Sequence, residues 1–144
     1  MSALPSRVKA SVRQRAQGVC EYCRVHEDDA GATSTYQCDH VRPQHLFALD
    51  NPARDDLSSL AYSCPRCNSH KAGAVDGIDH DTGRREPLFN PRVQEWHEHF
   101  TYTPAGFIFG MSATGRATAG RLHFNDAIRV KNRAVFSGLK RWPR

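Results

Sequence analysis

The sequence predicts an α+β fold with a small core stapled by cysteines, and three observations support this class. Residues 7–17 place apolar side chains at every fourth position, which is typical of an amphipathic helix. Residues 33–41 are rich in β-branched and aromatic side chains, which indicate a strand. Two C-x-x-C pairs, at 20–23 and 64–67, enclose that strand and would tie its flanks together.

The first helix is expected to run from Arg7 to about Gln17, capped by Ser6 and ended by Gly18. Its apolar face carries Val8, Val12 and Ala16, and its opposite face carries Lys9, Arg13 and Arg15. Those cations fit two interpretations, a solvated helix face or a surface that contacts phosphate groups.

The middle of the chain contains a group of polar residues around the predicted strand. The strand delivers Asp39 and His40, and Pro43 breaks it. Neighbouring strand residues face opposite sides, so these two side chains need a bend or bulge to converge. After the apolar stretch Leu57–Tyr62 and the second cysteine pair, Asn68 is expected to open a short helix.

The C-terminal half differs in character from the rest. Residues 73–85 are expected to form a loop, because glycine and aspartate recur there. Beyond them, Phe107–Gly110 predicts a short strand and Thr114–Phe136 a largely helical segment. Four aromatic residues are assigned to the core, with base stacking as the alternative: Trp96, Phe100, Phe107 and Phe109. We therefore divide the chain into a core, residues 1–86, and a C-terminal extension, residues 87–144, packed on the same domain.

Composition favours an intracellular chain with a mildly basic surface. The 144 residues include 20 Lys and Arg against 15 Asp and Glu, a formal charge of +5. This balance favours polyanionic partners, although many unrelated proteins share it. The N-terminus lacks the apolar core of a signal peptide, and no apolar run approaches the roughly 20 residues of a membrane helix. We expect a cytoplasmic protein without a membrane partner.

Four of the five cysteines form a candidate zinc site. They are Cys20, Cys23, Cys64 and Cys67. Four thiolates match the tetrahedral shell of a structural zinc ion, and such a closed shell leaves no position for chemistry. Two C-x-x-C pairs argue against a disulfide framework and against a redox motif. For the remaining cysteine, Cys38, a buried thiol is favoured over a ligand or a nucleophile.

Asp39, His40 and Asn68 form a second candidate site beside the cysteines. A carboxylate and an amide oxygen suit a magnesium-class ion, and an imidazole suits proton transfer near neutral pH. His45 and His70 are weighed as further ligands against ordinary surface or hydrogen-bonding roles.

The order of these motifs resembles the His-Asn-His (HNH) endonuclease family, and within it the zinc-knuckle subgroup. The motifs are C-x-x-C at 20–23, D-H-x-x-P at 39–43 and C-x-x-C-N-x-x-K at 64–71. The resemblance covers about residues 7–73. Three further segments also resemble extensions of bacterial members: Leu88–Arg92, Trp96–Phe100 and Gly115–Thr118.

The resemblance implies a ββα-metal fold in which a nuclease cleaves DNA. By analogy, Asp39 and Asn68 bind the catalytic Mg²⁺ or Mn²⁺, and His40 is the general base on the attacking water. Three basic residues near the site in sequence would hold the DNA backbone: Lys71, Arg42 and Arg66. Cleavage of both strands would favour a homodimer, because each chain has one site.

One position departs from the family pattern. Ser59 stands where an asparagine usually orients the histidine-bearing loop, and Asp56 is a candidate to supply the missing contact. This departure keeps an alternative open, a zinc-stapled module that binds nucleic acid without cleaving it. A third alternative, a protein–protein adaptor, would leave Asp39, His40 and Asn68 without a purpose.

Overall fold

The computed structural model of the chain describes residues 4–30, 35–42 and 56–144. Its helices are α1 Ser6–Ala16, α2 Glu27–Ala30, α3 Pro65–Lys71, α4 Trp96–His99, α5 Ala113–Arg121 and α6 Ala127–Gly138. Its strands are β1 Gln37–His40, β2 Leu60–Ser63, β3 Asp76–Ile78, β4 Arg85–Pro87, β5 Phe100–Tyr102 and β6 Ile108–Gly110. A 3-10 turn at Leu57–Ser59 precedes β2. Pro43 and His45 lie outside the described residues.

The centre of the fold is the hairpin of β1 and β2 with helix α3 following directly. The strands pair antiparallel, with Asp39 opposite Ala61 and His40 opposite Leu60. All four residues of β2 are buried, because α1 packs against this hairpin and α3 lies beside β1. The α+β class predicted from the sequence is confirmed, and the two strands and the helix form its ββα unit.

Helix α3 begins earlier than the sequence predicts. Cys64 is its N-cap residue and accepts a hydrogen bond from the Cys67 amide, 3.4 Å away. Pro65 occupies the first helical position, where its missing N–H is harmless and its fixed φ suits the helix. As a consequence, Asn68 lies within the helix instead of opening it, and Lys71 ends it.

Helix α1 agrees with its predicted range, but Ser6 does not cap it. Ser6 is already helical, and the N-cap is Pro5, which makes no side-chain cap hydrogen bond. Two of the three cations of its basic face make contacts within the fold. Arg13 lies 2.5 Å from the buried Glu27 carboxylate, and Arg15 donates to the carbonyls of Leu57 and Leu60.

The C-terminal half contains two further antiparallel hairpins, β3–β4 and β5–β6, with α5 packed against both. The expectation of a loop over residues 73–85 was wrong, because β3 and the start of β4 lie within it. Each of these two strands is only three residues long, which is too short to give a periodic signal. The proposed division at residue 86 stays a prediction.

The aromatic residues of this half divide into two groups. Trp96 and Phe100 are buried, as predicted. Phe107 and Phe109 are 38% and 47% exposed, so their assignment to the core was wrong. In the hairpin β5–β6 the alternation of side chains gives the inward position to Ile108, and the two phenyl rings stack on each other outside.

The C-terminal half is joined to the first cysteine pair by hydrogen bonds from two tryptophans. Trp96 donates its indole N–H to the carbonyl of Tyr22 at 2.8 Å, and Trp142 donates to the carbonyl of Cys23 at 2.9 Å. Both indole rings are buried. In the described part of the chain, no helix is long and apolar enough to span a lipid bilayer.

Candidate metal centre and active site

The four cysteines of the two C-x-x-C pairs converge in one buried cluster. Their sulfur atoms all lie within 4.8 Å of one another, and those of Cys23 and Cys64 are 3.7 Å apart. Zn–S bonds of about 2.3 Å in a tetrahedron require sulfur atoms about 3.8 Å apart. The cluster therefore has the composition and the spacing of a structural zinc site, as predicted.

The protonation of these thiols also fits a cation. Burial raises the pKa of Cys20 and of Cys67 well above the usual thiol value. Hydrogen bonds from Cys20, Cys64 and Cys67 lower the pKa of Cys23 well below it. The buried cluster thus favours ionisation of one thiol over its neighbours, and a divalent cation would favour the thiolate form of all its ligands.

Helix α6 adds a buried arginine to the cluster. The Arg129 guanidinium donates to the sulfur of Cys67 at 3.0 Å and lies 3.9 Å from that of Cys64. It also donates to the carbonyls of Leu122 and His123. Burial by itself lowers the pKa of Arg129, but the thiolates, led by Cys67, raise it above its ordinary value. A cation from the C-terminal half thus balances part of the negative charge of the thiolates.

The Asp39 carboxylate lies in a second buried network. Its side chain is 7% exposed and accepts a 2.6 Å hydrogen bond from the Tyr22 hydroxyl. Burial, with a further contribution from the Asp39 charge, raises the pKa of Tyr22 well above its ordinary value. The phenol therefore stays protonated and donates. Tyr22 lies between Cys20 and Cys23, so the first zinc knuckle also fixes the orientation of Asp39.

Lys71 is the other partner of Asp39. Its ammonium lies 3.0 Å from one carboxylate oxygen and 3.3 Å from the other. It also donates to the carbonyls of His40 and Val41, and its side chain is 1% exposed. These contacts give the ammonium partners inside the protein and anchor the end of β1. The predicted contact of Lys71 with substrate phosphate stays a prediction.

His40 is the last residue of β1 and is half-buried. The pairing of β1 with β2 runs through Asp39 and His40 without an inserted residue. Side chains alternate along such a strand, so the imidazole is directed to the face opposite the Asp39 carboxylate. The bulge that the sequence argument considered is therefore not present within this hairpin.

Asn68 lies on α3, one helical turn before Lys71. Residues three apart share a helix face, so Asn68 lies beside the residue that contacts Asp39. It is half-buried, and among the described residues its side chain has no hydrogen-bond partner. The ββα unit thus places Asn68 and Asp39 on neighbouring elements, whereas the His40 imidazole, at the end of the same strand, is directed to the other face of the hairpin.

The other predicted residues lie around this unit. Arg42 and Lys71 line one cavity of about 300 Å³, whose opposite wall is formed by Leu88–Asn90. Arg66 is exposed and lines a different cavity beside Arg129. The carbonyl of Ser59 accepts a hydrogen bond from the Val41 amide at 3.0 Å, which closes the hairpin next to His40. Cys38 is half-buried and lies outside the cysteine cluster.

Tyr22 and Arg129 belong to these networks, but the sequence did not identify either of them as a site residue. Tyr22 stands between two candidate zinc ligands, and nothing in that position indicates that its hydroxyl donates to Asp39. Arg129 is one of many basic residues near the C-terminus. Its one distinguishing sign is that a helix places it on the same side as Arg133, which is also buried.

The fold and the cysteine cluster define an α+β domain with a central ββα unit and a potential zinc site of four buried cysteines. Residues 20–73 match the family model described as HNH endonuclease. The matched segment contains all four clustered cysteines, and this arrangement is consistent with the zinc-knuckle subgroup of that family. The match supports a nuclease-type function in general, and the matched family implies a nucleic-acid substrate. Comparison with curated proteins and with solved structures gave no match.

Proposed function

We propose that this protein is a metal-dependent endonuclease that hydrolyses DNA phosphodiester bonds. One observation carries the proposal. The segment that matches the HNH family contains a strand, β1, that bears Asp39 and His40, and a helix, α3, that bears Asn68 beside it. A carboxylate, an imidazole and an amide on these elements suit hydrolysis assisted by one ion.

Asp39 and Asn68 are the residues proposed to hold the ion. Three contacts from Tyr22 and Lys71 occupy part of the Asp39 carboxylate, which offers about four lone-pair positions. The amide oxygen of Asn68 adds a second hard ligand, and such a donor set fits Mg²⁺ or Mn²⁺. When bound, such an ion offsets negative charge on the scissile phosphate and on the leaving oxygen.

His40 is the proposed general base. Its imidazole lies at the end of β1, half-buried, where one side can face a water molecule and the other can face the protein. Lys71 fixes this strand end through the carbonyls of His40 and Val41. Because the backbone of His40 is held in place, its imidazole has a defined orientation for accepting a proton from water.

Lys71 and Tyr22 are proposed to act through Asp39. Both bind its carboxylate from inside the protein, so they set its orientation and supply compensating positive charge and a hydrogen bond. Arg42 is exposed on the edge of the same cavity and is the better candidate for contact with the DNA backbone.

A second candidate function is a nucleic-acid-binding module without catalysis. It is favoured by the ion pair of Asp39 with Lys71, which competes with an ion for the carboxylate. The serine at position 59, in place of the usual asparagine, favours it too. Both functions predict salt-dependent binding to DNA, and they differ in cleavage alone.

The deciding experiment is a plasmid-nicking assay on zinc-loaded protein with and without added Mg²⁺ or Mn²⁺. Omitting the ion is preferable to chelation, because a chelator would also attack the cysteine cluster. We expect His40→Ala to lower the cleavage rate by roughly 100-fold or more, the usual contribution of a general base, while DNA binding persists. His97→Ala, at an exposed histidine of α4, is the matched control and should cleave normally.

Two results would change the conclusion. If folded wild-type protein binds DNA but cleaves none with either ion, the binding module is supported, and Ser59→Asn becomes the test for recovered activity. If cleavage persists in His40→Ala, the assignment of the base is wrong.

A further inference from the structure

A second group of potential metal ligands lies between α3 and the C-terminal half. It consists of His70, the second-last residue of α3, together with His123 and Asp126 in the connection from α5 to α6. Their potential ligand atoms lie within 4.8 Å of one another. We propose that these three side chains form a binding site for a divalent transition-metal ion, separate from the cysteine cluster and from Asp39.

The distances suit this proposal. The Nδ1 atom of His123 and a carboxylate oxygen of Asp126 are 3.5 Å apart. Metal bonds of about 2.0–2.2 Å at a tetrahedral angle require ligand atoms about 3.4 Å apart. The rings of His70 and His123 stack with their centroids 4.1 Å apart and an angle of 23° between their planes. The His123 side chain is 52% exposed, so its ring has room to rotate and to direct a nitrogen to an ion shared with Asp126 and His70.

The Asp126 carboxylate does not cap the helix that it precedes, although its position favours that role. Asp126 is the N-cap residue of α6, where an aspartate normally accepts a hydrogen bond from a backbone amide of the first turn. Here it makes no such bond, and its oxygen lies near His123 instead. The carboxylate is therefore directed to the imidazoles and not to its own helix.

The two halves of the site are held in place by one buried side chain. Arg129 donates to the sulfur of Cys67, one helical turn before His70, and also to the carbonyl of His123. The guanidinium thus fixes the distance between α3 and the connection that bears His123. A site assembled from two separate segments needs this kind of support, because its ligands have to be in place before the ion binds.

The surroundings leave room for the remaining coordination positions. His123 and Asp126 line a cleft of about 560 Å³ that also contains His80 and Asp81. Water from this cleft can complete the shell. Two imidazoles and one carboxylate suit Zn²⁺, Co²⁺ or Ni²⁺ better than Mg²⁺, which prefers oxygen ligands. The ion would clamp the C-terminal half to the helix that carries Asn68.

The proposal is tested by titrating the zinc-loaded full chain with Co²⁺, using calorimetry and visible absorption. With Mg²⁺ in excess to occupy the proposed Asp39 site, we expect one further equivalent of Co²⁺ to bind, with weak d–d bands and without the intense thiolate charge-transfer bands of exchange into the cysteine cluster. The bound ion should also raise Tm. His123→Ala and Asp126→Asn should each weaken binding by about tenfold or more, the scale on which lost ligands and their supports act. His97→Ala should bind as the wild type does.

Both variants change exposed residues, and the zinc content and circular dichroism of each confirm that the cysteine cluster remains intact. The proposal is overturned if the zinc-loaded wild type takes up no further Co²⁺ at millimolar concentration. It is also overturned if His123→Ala and Asp126→Asn bind Co²⁺ as tightly as His97→Ala. Neither readout involves DNA cleavage, so the outcome is independent of the proposed nuclease activity.

Discussion

The cysteine cluster and the Asp39 site share one domain but differ in how completely they are enclosed. The four cysteine ligands are all buried, converge on one point and gain a buried cation, Arg129, from a distant helix. In the other site, Asp39 is buried and engaged, whereas His40 and Asn68 are half-buried. A structural centre is thus closed on every side, whereas the proposed catalytic residues lie where substrate and water can reach them.

The two sites are nevertheless mechanically connected through α3. This helix is capped by Cys64, carries Cys67 in its first turn, and carries Asn68 and Lys71 in the residues that follow. Tyr22 makes a second connection, from the first knuckle to Asp39. Loss of the cysteine cluster should therefore disturb the Asp39 site, whereas substitutions in the Asp39 site should leave the cysteine cluster intact.

The largest effect should come from removing the zinc ion, by a chelator or by Cys67→Ser. Structural zinc contributes about 10 kcal/mol or more in small zinc domains, as much as the whole net stability of a typical domain. We expect the cooperative thermal unfolding transition to disappear, together with any nuclease activity. Differential scanning calorimetry with and without chelator measures this.

Cys38→Ser is the matched control, because Cys38 lies outside the cluster. It should retain the wild-type zinc content and a cooperative transition. If Cys67→Ser unfolds as cooperatively as Cys38→Ser, at a similar temperature, the cluster does not hold the fold together.

The next effect in size concerns the cation that closes the cluster. Arg129→Met keeps an unbranched side chain but removes the hydrogen bonds to Cys67 and to two backbone carbonyls. Loss of one partner of a buried charge pair costs about 3 kcal/mol or more. We expect a decrease of that size in the free energy of unfolding by denaturant, and faster zinc release to a competing chelator.

Lys131→Met changes a cation on the exposed side of the same helix and should alter stability by about 0.5 kcal/mol or less. Equal losses for Arg129→Met and Lys131→Met would mean that the contact with the thiolates contributes nothing. A loss of stability in Arg129→Met without faster zinc release would assign the effect to packing and to the hydrogen bonds with the Leu122 and His123 carbonyls, and not to the cysteine cluster.

The sequence was most informative where neighbouring residues decide the structure. Two C-x-x-C pairs predict a zinc cluster because each pair presents its ligands within one turn of chain. The period of Val8, Val12 and Ala16 predicts α1 for the same reason. The D-H dipeptide and Asn68 could be assigned as a candidate site because their motif order resembles a known family.

Contacts between residues that are far apart in the sequence could not be predicted from local patterns. Arg129 lies 62 residues from Cys67, and Tyr22 lies 17 residues from Asp39. Nothing local distinguishes either residue from other arginines and tyrosines. Similarly, the hydrophobicity of Phe109 could not reveal that Ile108 takes the inward position of the hairpin. Which partners meet depends on how the C-terminal half packs, and the local pattern does not contain that information.

The smallest predicted effect tests the connection between the two sites. Tyr22→Phe keeps the buried ring and removes only the hydroxyl that donates to Asp39. A hydrogen bond to a charged group contributes about 1.5–3 kcal/mol, and a bond between neutral groups about 1 kcal/mol. We therefore expect a loss of about 2 kcal/mol in stability, measured by denaturant unfolding with zinc in excess.

Tyr36→Phe is the matched control for the stability loss predicted for Tyr22→Phe. Tyr36 is also buried near the first knuckle, but its hydroxyl donates to the neutral carbonyl of Val25 at 2.9 Å. Both variants should retain zinc. Only Tyr22→Phe should change the Mn²⁺ concentration needed for half-maximal binding, because Tyr22, unlike Tyr36, contacts the Asp39 carboxylate. If both variants bind Mn²⁺ equally well, the first knuckle stabilises the fold without controlling the geometry of Asp39. The two sites would then be coupled through α3 alone.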